Sequence, residues 1–169
     1  MGSTLTVDNI VGATAAASVK MPAGYVVQTQ YGSSSGARTV STSTSYADIS
    51  GSTVTITPKY NTSKILIIAN FPDTFVTSTA AANSLYLKCI RNVGGGSFSD
   101  VCMIADRQGL TTPTSQEFMC SMSYSFLDST STTGVCIYKC QLKSFNTNQV
   151  NVGQQSAGLV NITAMEIAQ

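Results

Sequence analysis

Side chains that could perform acid–base, nucleophilic or metal chemistry are scarce in this chain of 169 residues. It has no histidine and only eight carboxylates. Without histidine it lacks the usual general base, the usual partner of a serine or cysteine nucleophile, and the commonest metal ligand. Glycoside hydrolysis needs two carboxylates that flank a groove. Asp100 and Asp106 are close in sequence, but no pattern places them across a cleft. We therefore expect no enzyme activity, no cofactor and no metal.

The five cysteines predict free, buried thiols. Their number is odd, and no two form a Cys-x-x-Cys pair. Cys136 and Cys140 fall in one predicted strand, where a spacing of four residues separates them by about 13 Å. That distance is too long for a disulfide. Cysteine of this kind packs as a small apolar residue and indicates synthesis in a reducing compartment.

The chain has few charged residues, and the two signs nearly balance. Nine Lys and Arg oppose eight Asp and Glu, and charged residues make up 10% of the chain. Polarity comes from 23 serines and 22 threonines instead. Nucleic-acid binding requires a basic patch, and a membrane-spanning helix requires about 18 consecutive apolar residues. Neither pattern is present, so the sequence predicts no nucleic-acid partner and no membrane span.

From Gly24 onward, apolar and polar residues alternate with a period of two nearly everywhere, which is typical of β-strands. The clearest run spans residues 117–127, and residues 135–143 follow it as an expected hairpin partner. Turn signals separate about eight to ten such runs, and we find no internal repeat. The sequence predicts an all-β fold, a jelly-roll β-sandwich of antiparallel strands in one domain at residues 24–169.

Residues 1–23 form a separate region, which we expect to be an extended N-terminal arm. Apart from Met1, its only large apolar side chains before position 18 are Leu5, Val7, Ile10 and Val11. Two interpretations of this region remain open. The arm is either a frayed terminus or a docking segment that adds a short strand to a neighbour's sheet edge. In the second case these four residues are the candidate particle-docking residues.

One strand is apolar on both faces and points to burial on both sides. It runs from Ile65 to Ile68 and lies either under a second sheet or at a subunit interface. Together with the last strand it supplies four candidate interface residues, namely Ile65, Ile67, Met165 and Ile167. Glu166 lies between the last two. We expect it either to face solvent on an edge strand or to pair with a cation of a neighbouring subunit.

Loops on a rigid β-scaffold are the usual place for binding. The candidate exposed binding residues are Phe98, Asp128 and Phe145, which lie in or beside predicted turns. An exposed aromatic ring can stack on a sugar or anchor an interface. The same rings can equally fold back onto the core.

Several segments resemble virion structural proteins and tail fibres of tailed bacteriophages, especially of marine and cyanobacterial phages. They are Leu5–Gly12, Val19–Gln28, Ser52–Pro58, Ser63–Ala69, Tyr124–Asp128 and Ile162–Ile167. The resemblance covers most of the chain, and its motifs are structural. It implies a homotrimeric, C1q/TNF-like jelly-roll head on a virion appendage. The chain departs from this group because it has no long coiled-coil or β-helical shaft.

Three hypotheses follow for the function. The first is a trimeric fibre or receptor-binding tip, attached by the arm to other virion proteins of the capsid or tail and recognising a host surface glycan or protein. The second is a capsid decoration protein that stabilises the head. Both place the protein in the virion after assembly in the host cytoplasm. The third, a carbohydrate-active β-sandwich enzyme, is disfavoured by the missing histidine and sparse carboxylates.

Overall fold

The computed structural model describes residues 22–33, 39–78, 82–110, 116–153 and 159–169. Every regular element within these ranges is a β-strand. The predicted docking residues Leu5, Val7, Ile10 and Val11 lie outside the described residues, so their role stays a prediction. No helix in the described ranges is long and apolar enough to cross a membrane.

Ten strands form two antiparallel sheets. Their bounds are β1 Val26–Ser33, β2 Thr39–Ser41, β3 Ala47–Ile56, β4 Lys64–Ser78, β5 Asn83–Val93, β6 Ser99–Leu110, β7 Gln116–Ser129, β8 Cys136–Ser144, β9 Val150–Val152 and β10 Asn161–Ile167. The six-stranded sheet has the order β1-β10-β4-β9-β2, and β7 pairs with β4. The four-stranded sheet has the order β3-β8-β5-β6.

The strand pairing is that of a jelly roll. Apart from the short β2 and β9, the first long strand pairs with the last, as β1 with β10. The next pairs inward are β3 with β8, β4 with β7 and β5 with β6. Nested pairs of this kind arise when one long antiparallel hairpin folds over on itself into two facing sheets. The predicted all-β jelly-roll sandwich is confirmed.

The core fills the space between the sheets, and strict alternation builds it. Residues of β8 and β10 are buried at every second position. On β4, Ile65 and Ile67 are fully buried, whereas Leu66 and Ile68 on the opposite face are partly exposed. Because successive side chains point to opposite faces of a strand, the register of β4 decides which isoleucines enter the core.

The predicted hairpin between the seventh and eighth strands is wrong. Strand β7 pairs with β4 in one sheet, and β8 pairs with β3 and β5 in the other. The turn after β7 therefore crosses from sheet to sheet. Alternation predicts strands, but it carries no information about the strand with which each one pairs.

Glu166 is neither solvent-facing nor paired with a cation, so both expectations for it are wrong. Its side chain is fully buried and accepts hydrogen bonds from Gln28 Nε2 at 2.6 Å and from the backbone N–H groups of Lys59 at 2.8 Å and Tyr60 at 3.1 Å. Burial favours the neutral acid, but these hydrogen bonds outweigh it and lower the pKa of Glu166. The carboxylate thus fixes the connection between β3 and β4, which joins the two sheets.

Gly32 marks a close approach at one edge of the sandwich. A Cβ at this position would lie 2.0 Å from the carbonyl oxygen of Thr53 on β3. Only glycine leaves room for β1 and β3 of the two sheets to come this near.

Candidate binding surfaces

The outer face of the six-stranded sheet carries a contiguous group of apolar side chains, which we name the apolar face. Four strands contribute in cross-strand rows, and one row joins Thr29, Met165, Leu66 and Leu127. Residues directly opposite each other share a face of the sheet. The apolar face comprises Val26, Tyr31, Leu66, Ile68, Leu127, Met165 and Ile167.

Around these residues the rows carry hydroxyls and amides, with one charge at Lys64. One row is internally hydrogen-bonded, since Asn70 Nδ2 donates to Asn161 Oδ1 at 2.8 Å and Ser123 Oγ donates to Asn70 Oδ1 at 2.7 Å. Val26, Tyr31 and Leu127 are exposed, and the other four apolar residues are partly exposed. This face can lose water with little loss of charge solvation.

The four candidate interface residues divide between the two sides of the sheet. Met165 and Ile167 lie on the apolar face, where another subunit could reach them. Ile65 and Ile67 are fully buried in the core of their own chain, so their assignment to a subunit interface is wrong. The physical reason is the two-residue period: the strand presents Leu66 and Ile68 outward, not their neighbours.

The outer face of the four-stranded sheet differs in kind, and we name it the cation–aromatic face. It carries four cations and four rings, namely Lys88, Arg107, Lys139 and Lys143 with Tyr46, Tyr86, Phe98 and Phe145. Each cation lies over at least one ring. Stacking of this kind is worth about 0.5–1 kcal/mol at an exposed site.

Six of these side chains form a continuous series. Lys88 Nζ lies 4.2 Å from the centroid of the Tyr46 ring, and Lys143 Nζ lies 4.8 Å from the same ring. Lys143 Nζ is also 4.7 Å from the ring of Tyr86, whose centroid is 6.3 Å from that of Phe145. Arg107 closes the series, with its Cζ 4.4 Å from the Phe145 centroid.

Carboxylates neutralise part of this face. Lys88 Nζ pairs with Asp100 at 2.6 Å, and Lys139 Nζ pairs with Asp48 at 2.6 Å. Burial disfavours the charged form of Asp48, but hydrogen bonds from Lys139 and Gln141 outweigh it and lower the pKa of Asp48. Within the described ranges, Lys143 and Arg107 have no carboxylate in salt-bridge range.

Two of the three predicted loop residues are exposed. Phe98 and Phe145 are 41% and 42% exposed, and both lie beneath cations of the cation–aromatic face rather than folding into the core. The backbone N–H of Phe145 donates to Ser84 O at 2.8 Å, which fixes the start of its loop against β5. These rings therefore belong to one sheet face as well as to their loops.

Asp128 is not an exposed loop residue, so that prediction is wrong. It lies in β7, and its side chain is 11% exposed. Oδ2 accepts hydrogen bonds from Arg91 at 2.5 Å and from the hydroxyl of Tyr138 at 2.7 Å. Burial and the bond to Asp128 raise the pKa of Tyr138. Because Arg91 and Tyr138 belong to the four-stranded sheet, Asp128 ties the two sheets together and is not available to a ligand.

All five cysteines are free, in agreement with the sequence. Three of them are neighbours in register on the inner face, with Cys89 opposite both Cys140 and Cys102. Burial, with the adjacent Cys89, raises the pKa of Cys102 to about 11, and the contact with Cys89 together with burial raises that of Cys140. Protonated thiols are weak nucleophiles, so this row packs the core.

The structure does not assemble a carboxylate pair from Asp100 and Asp106. Both lie on β6, six residues apart, which corresponds to roughly 20 Å along a strand. Asp100 is engaged by Lys88. Among the described residues, no group of three or more Cys, Asp or Glu side chains could hold a metal ion.

The sequence pattern alone does not show which residues occupy the centre of either face. Leu66, Ile68 and Leu127 follow from alternation once the inward register of β4 is known. Lys143 and Arg107 carry no local signal, because their neighbours on the surface come from distant strands.

Similarity to known proteins is confined to solved structures of low sequence identity. No protein-family model matches the chain, and no curated protein matches it. Among solved structures, it is similar to the Eiger TNF of S. frugiperda, with TM-score 0.43 and 8% identity over 86% of this chain and 95% of that one.

Two structures of infectious bursal disease virus are also similar. The Gx strain gives TM-score 0.40 and 12% identity over 98% of this chain, and the Gt strain gives 0.31 and 13% over 100%. The chain spans 42% and 43% of those two viral chains. The jelly-roll assignment rests on the strand pairing described above.

Proposed function

We propose that the chain is a non-enzymatic structural protein of a virion and that it assembles as a homotrimer through its apolar face. The observation that carries this proposal is the concentration of seven apolar side chains on one outer face, in four cross-strand rows that hold a single charge. Contiguous exposed apolar surface on a folded domain marks an interaction site.

The physical argument compares the cost of desolvation on the two outer faces. Burying the apolar face removes water from Leu66, Met165 and their neighbours, which is favourable at about 25 cal/mol per Å² of apolar area. Burying the cation–aromatic face would remove water from four cations, which costs far more than it returns. Self-association through the apolar face leaves the other face in solvent.

The choice of three subunits and of a virion comes from the sequence. The chain resembles phage virion proteins whose heads are C1q/TNF-like trimers. In this proposal the N-terminal arm, with Leu5, Val7, Ile10 and Val11, docks the trimer to capsid or tail proteins. The chain then acts as a fibre or receptor-binding tip that exposes its cation–aromatic face to the host.

The test is the mass in solution, measured by light scattering after gel filtration. We expect three times 17.7 kDa for the wild-type protein. Leu127→Arg places a charge in the apolar face and should yield monomers at the same concentration. Met103→Arg is the matched control, since Met103 lies on the opposite outer face and is 48% exposed against 51% for Leu127.

A wild-type monomer at about 100 µM, or equal masses for the two variants, would overturn trimerisation through this face. Circular dichroism of both variants checks that each is folded.

A second experiment distinguishes a tip from a capsid decoration protein by whether the cation–aromatic face is exposed on the particle or covered by the capsid. On purified particles, labelling of Lys143 by an amine reagent should be fast for a tip, whereas a decoration protein clamped to the capsid by that face would be protected.

A further inference from the structure

One end of the cation–aromatic face combines aromatic rings with two cations that have no carboxylate partner among the described residues. We define the Tyr86 patch as Tyr46, Tyr86, Lys143, Phe145 and Arg107. Tyr86 is central, because it lies opposite Lys143 in the β5–β8 register and next to the ring of Phe145. The rings offer apolar faces, and the two cations lie over them.

A backbone irregularity brings Arg107 into this patch. Leu85 pairs with Gln108 and Leu87 with Ala105, so two residues of β6 oppose the single residue Tyr86 of β5. Arg107 is the second residue of this bulge and has φ +59°, a left-handed conformation that costs a non-glycine residue free energy. Bulges re-aim side chains, and this one directs the guanidinium over Phe145.

The charge balance of the patch restricts the chemistry of its ligand. Lys143 and Arg107 in the patch and Lys88 beside it are opposed by Asp100, which pairs with Lys88, and by the exposed Asp106 on the bulge. The local excess is a single positive charge. A nucleic acid duplex carries one negative charge per about 1.7 Å and needs several cations in a row. A polysaccharide with one carboxylate per repeat matches a small excess of charge beside ring faces.

We propose that the Tyr86 patch binds an acidic polysaccharide, with a sugar carboxylate held between Lys143 and Arg107 and a sugar ring against Phe145 or Tyr86. Arg pairs with carboxylates through two parallel N–H···O bonds, and aromatic rings present the flat surface on which sugar C–H groups pack. The proposal deepens the proposed function, because it names the class of receptor that the exposed face would recognise.

The experiment is a calorimetric titration with three acidic probes, namely hexagalacturonate, a hyaluronan hexasaccharide and a trimer of sialic acid, in 50 mM salt. Maltohexaose serves as the neutral probe and a twelve-nucleotide single strand as the polyanionic one. We expect at least one acidic sugar to bind, and maltohexaose to bind at least ten-fold more weakly.

The variants distinguish a defined binding site from non-specific attraction between opposite charges. Lys143→Gln and Arg107→Gln should each weaken binding about ten-fold, the effect of one charge-assisted hydrogen bond. Lys139→Gln removes the same charge from the other end of the face, where Lys139 lies over the equally exposed Phe98. It should change the affinity less than two-fold.

Four results would overturn the proposal. They are failure of all three acidic sugars to bind below about 10 mM, equal affinity for maltohexaose, tighter binding of the oligonucleotide, and equal weakening by Lys139→Gln and Lys143→Gln. None of these results depends on the mass of the protein in solution. Failure here and failure of trimerisation are therefore distinguishable.

Discussion

The two outer faces of the sandwich belong to similar antiparallel sheets but have opposite surface chemistry. In its four cross-strand rows, the apolar face has seven apolar residues and the single charge of Lys64. The cation–aromatic face holds four of the chain's nine basic residues, each over a ring, with Asp48 and Asp100 as ion-pair partners. The inner faces of both sheets are alike, since each buries apolar side chains in the shared core.

The inner faces specify the fold, and this leaves the outer faces free to diverge. An outer face with a single charge can be desolvated by another subunit at little cost. An outer face whose cations are held by rings and carboxylates is stable in water and costly to cover. One domain can therefore carry an assembly surface and a recognition surface on opposite sides.

The largest effect tests the division between the core and the apolar face. Ile67→Ala should lower the free energy of unfolding by about 2–5 kcal/mol, because it leaves a cavity between the sheets. Ile68→Ala, one residue along on the apolar face, should cost less than about 1.5 kcal/mol in the isolated chain. The free energy of unfolding is measured in urea in the Leu127→Arg background. In this background the chain is expected to be monomeric, so only burial within the chain contributes. Equal losses would mean that the register of β4 is wrong.

A smaller effect concerns the buried carboxylate that joins the sheets behind the two faces. Glu166→Gln should cost about 1.5–3 kcal/mol at pH 7, since it replaces a charged acceptor of three hydrogen bonds. The folded protein has a lowered pKa for Glu166, so its contribution is complete above the ordinary value of 4.5 and is lost as the pH falls through the lowered value.

The measurement for Glu166 is the unfolding free energy between pH 7 and pH 3. The wild-type protein should lose stability below about pH 4.5 more steeply than Glu166→Gln does. The exposed Glu117→Gln is the control and should follow the wild-type curve. Parallel curves for all three proteins would refute the role assigned to Glu166.

The smallest effect lies on the cation–aromatic face. Lys139→Gln breaks the ion pair with Asp48, which is 54% exposed, and should cost no more than about 1 kcal/mol. Most of that difference should vanish in 1 M salt, where the screening length is about 3 Å. Thermal unfolding at low and high salt makes the comparison. A loss above 2 kcal/mol that persists in salt would show that this face helps to hold the fold together.

Much of the fold could be predicted, because strands are visible in the period of two. The jelly-roll class, the positions of most strands and the free thiols follow from that pattern and from composition. The partners of the strands could not be predicted. Strands β7 and β8 are consecutive, yet they lie in different sheets, because each finds its partners among residues far away in the chain.

The candidate surfaces were predicted only in part. Met165 and Ile167 face outward as expected, but Ile65 and Ile67 do not, since an all-apolar run does not reveal which side of the strand faces the core. Asp128 and Glu166 were misplaced for a related reason. Their partners, Arg91 and the Lys59 backbone, lie 37 and 107 positions away, and no local pattern records such contacts.

The residue types and their order are enough to specify strands with two chemically distinct sides, free cysteines and a small net charge. These properties depend on local backbone geometry and on composition. Which side of each strand enters the core, and which outer residues become neighbours, depends on how the strands pair in the folded chain. Seven apolar residues gather on one face, and four cations meet four rings on the other, because strands distant in sequence pair in one register.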